Sequence, residues 1–587
     1  MLNDRLLREY NFFELYPFDG GGGLIFNEML GTIKDEEIYR KIIKENVLSE
    51  FGSLPEIDFK KFERWRSIEK SCWLNRFYFM ASLSRIYWLR KDEKIARLIK
   101  KIVIHFLQKY PPPQGKKEIG DHINYVYGIR DNNYNKQTYE ENQRDETDVK
   151  YIWFDFQPAS RLIHLIYLAH FLKDSKSVTK SEWEKIRESI YKHAEIIMIG
   201  EKYFRKLSKG DNHQSVRGIA LLHAGCFFKN YGAGKDFIKE GVRICNFHTK
   251  IDFLPDGTLA ENSPSYHVFE TWHVRDAFIL SQRYNFRLRS ETPKTLKKSA
   301  LFINAICQPD GCSPVINDGY PVNLSPFLKS LPFKAEPKKN DIQLFFFEDA
   351  SIGVYKDKKR YLTFDASPYT GQFSHYHAGK NSFIYWYDKK PFFVDSGCCS
   401  YDDKLFAKWY KQGESHSSLL VNGNADGIVK GTYRWMSYAT VKCDGWNSLS
   451  GNHIISSNLK SNAAGWEGVS WNRAIKISKN NSITITDVVN TKTPKDLMFV
   501  LNLHPDVRIT KNNKAILLNN RGTKLAFNPK VSKGDKIEVS ISRGKCFMNF
   551  EHVENKRILL KTKTNGKSIM EIKIESAEIN TTILKLC

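Results

Sequence analysis

The residues with the clearest chemical potential form one spaced set in the second half of the chain. His375 and His377 are two residues apart, Asp395 follows His377 after 395 − 377 = 18 residues, and His416 follows Asp395 after 416 − 395 = 21 residues. In an extended backbone, positions i and i+2 face the same side, so the two histidines project together. Three nitrogen and oxygen ligands with one open position are typical of zinc. The spacing therefore favours a zinc-type site on neighbouring strands.

A second polar segment, Asp211-Asn212-His213, precedes the amphipathic run Ile219–Phe228. Asn212 is therefore expected near a helix N-terminus, where backbone N–H groups and the helix dipole favour an anion. Its amide and His213 can both donate hydrogen bonds to a carboxylate. The alternative is that Asn212 is an ordinary N-cap residue.

A third segment ends in Tyr266, which follows Pro264 at the predicted start of another helix. From this position a phenol can point into a cleft. A tyrosine near cationic donors can lose its proton and act as a base. The alternative is a half-buried tyrosine that only packs.

Together these side chains fit the removal of the proton next to the carboxylate of a uronic acid. Negative charge then develops on that carboxylate, where Asn212 and His213 would stabilise it. Tyr266 would take the proton, and His375 or the same tyrosine would protonate the leaving glycosidic oxygen. We expect β-elimination, because a glycoside hydrolase would more simply show two opposed carboxylates.

The elements that hold these residues change in type along the chain. Apolar residues recur at helical spacing in five stretches of the first half: Ile95–Phe106, Arg161–Leu172, Glu182–Ile199, Val216–Phe228 and Val268–Tyr284. Strand patterns follow after about Pro337: Ser351–Tyr355, Ser382–Tyr387, Ser482–Asp487, Ile537–Ile541, Arg557–Lys563 and Ser568–Ile574. A run of helices followed by a run of strands predicts two domains, which we place at residues 1–337 and 338–587.

Charge limits the partners of the chain. Its 587 residues carry a formal charge of +24 at pH 7, which favours a polyanion such as nucleic acid, an anionic membrane or an acidic polysaccharide. We find no zinc-finger, helix-turn-helix or RNP motif and no apolar stretch long enough to span a bilayer. We therefore expect neither a nucleic-acid partner nor a membrane.

Two smaller observations concern the cellular compartment. The ten cysteines include no CxxC pair, so a cysteine zinc site is not expected. The first ten residues contain no apolar signal region. We expect a cytoplasmic protein, or a periplasmic or secreted one whose signal peptide has been removed.

The motifs resemble those of the heparinase II/III superfamily of polysaccharide lyases, most closely the heparinase III type. The matching segments are Asp211-Asn212-His213, Glu261-Asn262-Ser263-Pro264-Ser265-Tyr266-His267, Ser374-His375-Tyr376-His377, Val394-Asp395-Ser396-Gly397 and Ser415-His416. The interval from Asn212 to Tyr266, 266 − 212 = 54 residues, is also similar to that of the family. The resemblance implies an α+β multidomain fold, an incomplete α/α toroid followed by an antiparallel β-sandwich.

The resemblance also implies roles for particular residues. Asn212 and His213 would neutralise the substrate carboxylate, Tyr266 would be the base and His375 the acid. The ligands of a structural divalent metal, usually zinc, would be His377, Asp395 and His416. We predict substrate contacts at Arg217, Glu261, Trp153, Tyr376 and Lys380. No organic cofactor is implied.

The expected substrate is heparan sulfate or a heparin-like chain, because of the heparinase III likeness and the positive charge. Arg217 and Lys380 are candidate sulfate contacts, and Trp153, Trp272 and Tyr376 are either sugar platforms or packing residues. Alginate, hyaluronan or a bacterial capsular polysaccharide fits the same catalytic set. Two other hypotheses remain, a non-catalytic acidic-glycan-binding protein of the same fold and a nucleic-acid-binding protein suggested by charge alone. The oligomeric state is left open.

Overall fold

The structure is a computed structural model of the chain. It describes residues 35–46, 48–49, 52–59, 75–124, 152–155, 157–207, 212–333, 341–369, 375–399, 404–430, 434–511, 516–532, 535–548 and 551–577. The described residues form two compact units. Unit 1 takes its residues from Met1–Phe253, Val268–Ala300 and Ser325–Ala335, and unit 2 from Leu254–His267, Leu301–Leu324 and Glu336–Cys587.

Helices make up most of the first half of the chain. They are α1 (Asp35–Tyr39), α2 (Tyr78–Arg90), α3 (Glu93–Lys109), α4 (Gln157–Leu172), α5 (Lys180–Leu207), α6 (Asn212–Phe227), α7 (Gly234–Ile251), α8 (Pro264–Tyr284), α9 (Thr292–Ile306) and α10 (Leu324–Lys329). A π-helical turn, Arg40–Lys44, follows α1. Each of the five helical stretches predicted from periodicity lies on one of these helices. No helix in the described ranges has both the length and the apolarity needed to cross a membrane.

Helix α4 lies in the core of unit 1, because every one of its residues is buried. Its one arginine, Arg161, is satisfied inside this core, where it donates to the backbone carbonyls of Asn75 and Ile152 at 2.9 and 3.0 Å. Buried polar groups persist where hydrogen bonds replace water in this way.

Antiparallel strands make up the second half. They are β1 (Gln343–Phe347), β2 (Ile352–Lys356), β3 (Arg360–Asp365), β4 (Ser382–Tyr387), β5 (Lys390–Phe393), β6 (Leu419–Val421), β7 (Ile428–Lys430), β8 (Arg434–Ser437), β9 (Ala439–Leu449), β10 (Asn452–Ser461), β11 (Ser470–Ile477), β12 (Ile483–Asn490), β13 (Lys495–Asn502), β14 (Val507–Lys511), β15 (Ile516–Asn520), β16 (Thr523–Val531), β17 (Glu538–Met548), β18 (Glu551–Thr564) and β19 (Lys567–Ser576). Three larger sheets have the orders β1-β2-β3-β4-β5, β14-β15-β16-β19-β12-β11-β10-β9 and β17-β18-β13-β6, and β7 pairs with β8.

Strand β4 shows how these sheets enclose a core. All six of its residues are buried. Phe383 and Tyr385 enter one apolar cluster, which also contains residues of the eight-stranded and four-stranded sheets. Ile384 and Trp386 enter a second cluster with Phe302 at the end of α9. Successive side chains of a strand face opposite sides. A strand with apolar residues at both odd and even positions therefore belongs between two layers.

The candidate ligand residues of unit 2 lie in connections between strands, whereas the spacing predicts them on the strands themselves. His375 and His377 precede β4, Asp395 follows β5, and His416 precedes β6. The chain approaches itself closely here, since a side chain at Gly379 (φ +97°) would place its Cβ 2.8 Å from the Cβ of His416. Glycine therefore suits this position on both steric and conformational grounds.

Candidate functional site

Tyr266 and His375 are brought together in unit 2. Their rings lie 4.1 Å apart between centroids, with an angle of 34° between the planes. Tyr266 lies in the first turn of α8, which begins at Pro264 as the sequence predicts. Both side chains are partly exposed. A phenol and an imidazole are thus held face to face at a surface that a ligand can reach.

Two carboxylates surround the ring of His375. Asp318 Oδ2 lies 2.9 Å from its Nδ1, and Glu261 Oε2 lies 3.5 Å from its Nε2. Asp318 is completely buried. Burial alone would raise the pKa of Asp318, but the Lys411 ammonium and the hydrogen bonds from His375 and His377 outweigh it and hold this pKa below its usual value. An ionised carboxylate only accepts hydrogen bonds, so Nδ1 of His375 carries a proton, and Nε2 faces Glu261.

Asn317 joins the two motif segments of this site. Its Nδ2 donates to the carbonyl of Asn262 at 2.7 Å, and its Oδ1 accepts from the backbone N–H of His377 at 3.1 Å. Tyr376 adds a further link, because its hydroxyl donates to the carbonyl of Ala260 at 2.8 Å. The relative placement of Tyr266 and His375 is therefore set by hydrogen bonds and does not depend on loop packing alone.

The three predicted metal ligands lie in the same region, and all are buried. His416 Nδ1 is 2.8 Å from Asp395 Oδ2, and the rings of His377 and His416 are 5.3 Å apart. Burial would lower the pKa of His416, but Asp395 outweighs it and raises this pKa. Burial lowers the pKa of His377 to about 4, which keeps its imidazole neutral near pH 7, as metal binding requires.

One nitrogen of this donor set is open to a metal, whereas both ring nitrogens of His416 are engaged, by Asp395 and by the Tyr410 carbonyl at 3.0 Å. Nε2 of His377 lies 2.6 Å from Asp318 Oδ1, so this nitrogen carries the proton. Nδ1 of His377 then bears the lone pair, and this buried atom has no hydrogen-bond partner among the described residues. A buried nitrogen acceptor beside an imidazole and a carboxylate is suited to a divalent ion.

Among the described residues, the group whose ligand atoms converge differs from the predicted set. One ligand atom each from Asp318, His377 and Cys398 all lie within 4.8 Å of one another. Cys398 forms no disulfide, and its thiol donates to the Cys399 carbonyl at 3.1 Å. His377 is common to both sets.

In unit 1, His213 is held by a buried charge network. Its Nδ1 hydrogen-bonds Asp155, whose other carboxylate oxygen accepts from Arg217. Arg217 also donates to Glu201, which in turn accepts from Gln214 at 2.9 Å. Asp155, Arg217 and Glu201 are buried, whereas the side chain of His213 remains 24% exposed. Asn212 is the first residue of α6 and is also partly exposed.

All five predicted substrate contacts lie in the interior instead. Arg217 is bound by Asp155 and Glu201, and Lys380 donates to Ser367 at 3.0 Å beneath the rings of Tyr369 and Tyr376. Trp153 donates to the Tyr110 carbonyl at 3.2 Å. The predicted contacts that are buried are Arg217, Lys380, Trp153, Tyr376 and Glu261, and Trp272 is buried too. The polar groups of Arg217, Lys380 and Trp153, which were predicted to meet a sugar, are bound by other residues of the chain. Glu261 stays beside His375.

Sequence reasoning missed Asp318, Asn317 and Asp155. The only local signal for the first two is the turn sequence Asn317-Asp318-Gly319, which indicates a turn and no chemistry. Asp155 adopts a left-handed backbone, φ 57°, a conformation that asparagine and aspartate tolerate better than most residues. Neither signal identifies a histidine partner.

Two sequence profiles match almost the whole chain. The profile described as "Heparinase II/III N-terminus" matches residues 29–343, and "Heparinase II/III-like, C-terminal" matches residues 341–575. The chain belongs to the heparinase II/III family. The resemblance predicted from the motifs is thereby confirmed, and members of this family are polysaccharide lyases.

Individual relatives are distant. The heparin-sulfate lyase of Bacteroides thetaiotaomicron is 20% identical over 317 residues, which are 46% of this chain and 44% of the relative, so the match spans less than half of that protein. A crystal structure of heparinase III covers 98% of this chain and 89% of its own, with a TM-score of 0.71 and 13% identity. A mutant heparan sulfate lyase from Pedobacter heparinus covers 90% of this chain and 79% of its own, with a TM-score of 0.62 and 15% identity. This likeness confirms the predicted fold class, a helical N-terminal part followed by antiparallel β-sheets.

Proposed function

We propose that this chain is a polysaccharide lyase that cleaves a uronic-acid-containing acidic polysaccharide by β-elimination. The observation that carries the proposal is the pairing of Tyr266 with His375 at a ring separation of 4.1 Å. Their positions are 375 − 266 = 109 residues apart. A base and an acid that meet from distant segments, with Glu261 beside them, form a reaction centre and not a simple packing contact.

The reaction needs only these two groups for its proton transfers. Tyr266 as phenolate removes the proton from the carbon next to the uronate carboxylate. The electrons form a carbon–carbon double bond as the glycosidic C–O bond breaks. His375 acts as the imidazolium, with a proton on each ring nitrogen: Nδ1–H stays with Asp318, and the Nε2 proton goes to the departing oxygen. The products are a free sugar hydroxyl and an unsaturated uronate.

Asn212 and His213 are proposed to neutralise the substrate carboxylate while negative charge builds on it. Asp155 fixes the orientation of the His213 ring by accepting from Nδ1. Arg217 then acts indirectly, because it holds Asp155. This changes the predicted role of Arg217 from a sulfate contact to a positioning residue.

His377, Asp395 and His416 are proposed to hold a divalent metal, with zinc favoured by the two imidazoles and one carboxylate. The metal would tie together the segments that precede β4, follow β5 and precede β6. Its contribution would be structural. The proton transfers remain with Tyr266 and His375.

Heparan sulfate is the proposed substrate class. Its support is the family, the name of the Bacteroides relative as a heparin-sulfate lyase, and the net charge of +24. Alginate, hyaluronan and a bacterial capsular polysaccharide share the uronic acid that the chemistry needs, so they belong in the same test.

The test is ultraviolet absorbance during incubation with heparan sulfate, heparin, hyaluronan, chondroitin sulfate and alginate. An unsaturated uronate absorbs, whereas a hydrolysis product does not. We expect a rise with heparan sulfate, and a rise with another member would correct the substrate while keeping the reaction. Tyr266→Phe keeps the ring beside His375 but removes the base, so its rate should fall at least about 100-fold while KM changes little. Reducing-end release without absorbance in the wild type would refute elimination.

A further inference from the structure

One buried carboxylate contacts both histidines of the His375-Tyr376-His377 segment. Asp318 Oδ2 lies 2.9 Å from His375 Nδ1, and Asp318 Oδ1 lies 2.6 Å from His377 Nε2. The two contacts use different oxygens and different ring nitrogens. A carboxylate bound in this way selects one tautomer for each ring at the same time.

The consequence differs for the two rings. His375 keeps Nε2 for the reaction, on the side of Glu261. His377 keeps Nδ1, the buried atom with no hydrogen-bond partner in the part of the chain that the structure describes. A histidine that binds a metal through one nitrogen commonly donates the other N–H to a carboxylate, which orients the ring and raises its basicity.

Asp318 itself is firmly placed. Its backbone N–H donates to the His375 carbonyl at 3.2 Å, and its neighbour Asn317 bonds both Asn262 and the His377 backbone. Lys411, which is also buried, supplies a compensating positive charge. A rotated or displaced carboxylate would lose several of these contacts together.

We infer that Asp318 is a positioning residue shared by two sites: it orients His375 for proton transfer and His377 for metal binding. The first half of this inference rests on the proposed function, whereas the second half concerns metal binding alone. The same segment thus couples the reaction centre and the metal site through one side chain. Asp318 does not itself touch substrate or metal in this arrangement.

The experiment compares Asp318→Asn with wild type in two independent measurements. The first is the affinity of the stripped protein for Zn²⁺ by competition with a chelator, which needs no substrate. An amide can accept from only one of the two rings, so we expect Zn²⁺ affinity to fall about 10–100-fold. The second measurement determines kcat and KM separately, at saturating Zn²⁺. We expect kcat to fall at least about tenfold with KM within about twofold of wild type, because excess metal cannot restore the acceptor of His375.

Three further variants separate this inference from its rivals. Asp395→Asn removes a proposed ligand and should nearly abolish Zn²⁺ binding. Cys398→Ser should leave Zn²⁺ affinity unchanged, whereas a loss equal to that of Asp318→Asn would show that Asp318, His377 and Cys398 are direct ligands and would overturn the inference. Asp487→Asn removes another fully buried carboxylate of unit 2, one bound to Arg473 and Trp471. It should destabilise the protein without changing Zn²⁺ affinity.

A folded Asp318→Asn protein with wild-type Zn²⁺ affinity and wild-type kcat would refute the shared role. If Asp318→Asn does not fold, Asp318→Glu replaces it, because a carboxylate moved by one methylene cannot meet both nitrogens and should lower both readings. Should the wild type cleave none of the polysaccharides, the proposed function fails on that result. The Zn²⁺ measurement would then still decide whether Asp318 orients His377.

Discussion

At the scale of single residues, the contact between Asp155 and His213 predicts the effect of one substitution. Arg217 offers a control, because it binds a second carboxylate as well as Asp155. Asp155→Asn keeps the size of the side chain and suits the left-handed backbone, but it removes the charge that holds His213 Nδ1–H. We expect kcat/KM to fall at least about tenfold, because the ring can then adopt either tautomer. Steady-state kinetics on the cleaved polysaccharide provide the measurement.

Glu201→Gln is the matched control for Asp155→Asn. Both changes remove a buried carboxylate from Arg217, but Glu201 bonds Gln214 and Arg217 and makes no contact with His213 among those described. Each variant should lower the free energy of unfolding by about 1–3 kcal/mol, whereas only Asp155→Asn should lower kcat/KM. Equal losses of activity would show that the integrity of Arg217 matters and the orientation of His213 does not.

At this scale the sequence shows the motifs within each segment, but it does not show the contacts between distant segments. His375, His377 and Tyr266 stand in local motifs, so they could be singled out as candidates, although the predicted boundary at residue 337 grouped Tyr266 with the helices and not with unit 2. Asp318 lies 57 and 59 residues from the histidines it contacts, and Asp155 lies 58 residues from His213. Arg217 and Lys380 were predicted as substrate contacts because they are charged. A sequence shows the charge of a residue but not its burial.

At the scale of elements, the loop after α4 is attached to the N-terminus of α3 by Glu93. Its carboxylate accepts from Ser175 Oγ at 2.7 Å and from the Ser177 backbone N–H at 3.1 Å. Burial would raise the pKa of Glu93, but these donors outweigh it and lower the pKa to about 2 from 4.5. A carboxylate whose pKa is lower in the folded than in the unfolded protein stabilises the fold at pH values above its unfolded-state pKa. This stabilisation is lost as the pH falls toward the folded-state pKa.

Glu93→Gln should therefore lower the free energy of unfolding by about 1 kcal/mol at pH 7. The difference from wild type should shrink as pH falls below about 4.5 and approaches 2. Urea unfolding followed by circular dichroism across this range is the measurement. Glu195→Gln, which breaks the part-exposed pair with Lys192 on α5, should cost at most about 0.5 kcal/mol. A Glu93→Gln difference that is constant with pH would contradict the assigned contacts.

Element boundaries were less predictable than element types. Periodicity indicated Val268–Tyr284 as a helix, and α8 begins four residues earlier at Pro264. That extra turn contains Tyr266. The first turn is recognised by capping and proline chemistry and carries no apolar stripe of its own, so hydrophobic spacing alone overlooks it. Strand β4 was predicted with its exact bounds, because both of its faces are apolar and turns flank it.

At the scale of the whole molecule, the basic charge has a kinetic consequence. Strand β18 shows how the charge is carried, since Leu560 and Thr562 are buried while Lys561 and Lys563 are exposed. Such alternation places lysines on the surface of a sheet whose other face is core. Summed over the chain, the charge of +24 should raise the local concentration of a polyanion and speed its association.

This attraction is screened by salt, because the Debye length falls from about 10 Å at 0.1 M to about 3 Å at 1 M. We expect KM for heparan sulfate to rise at least about threefold between 0.05 and 0.5 M NaCl, while kcat changes by less than about twofold. The chemical step uses Tyr266 and His375, whose mutual contact is short and therefore weakly screened. Hyaluronan, which has a carboxylate only on alternate sugars and no sulfate, should show a shallower rise if it is cleaved. A fall in kcat with unchanged KM would place the salt effect on the reaction centre and would contradict steering by the overall charge.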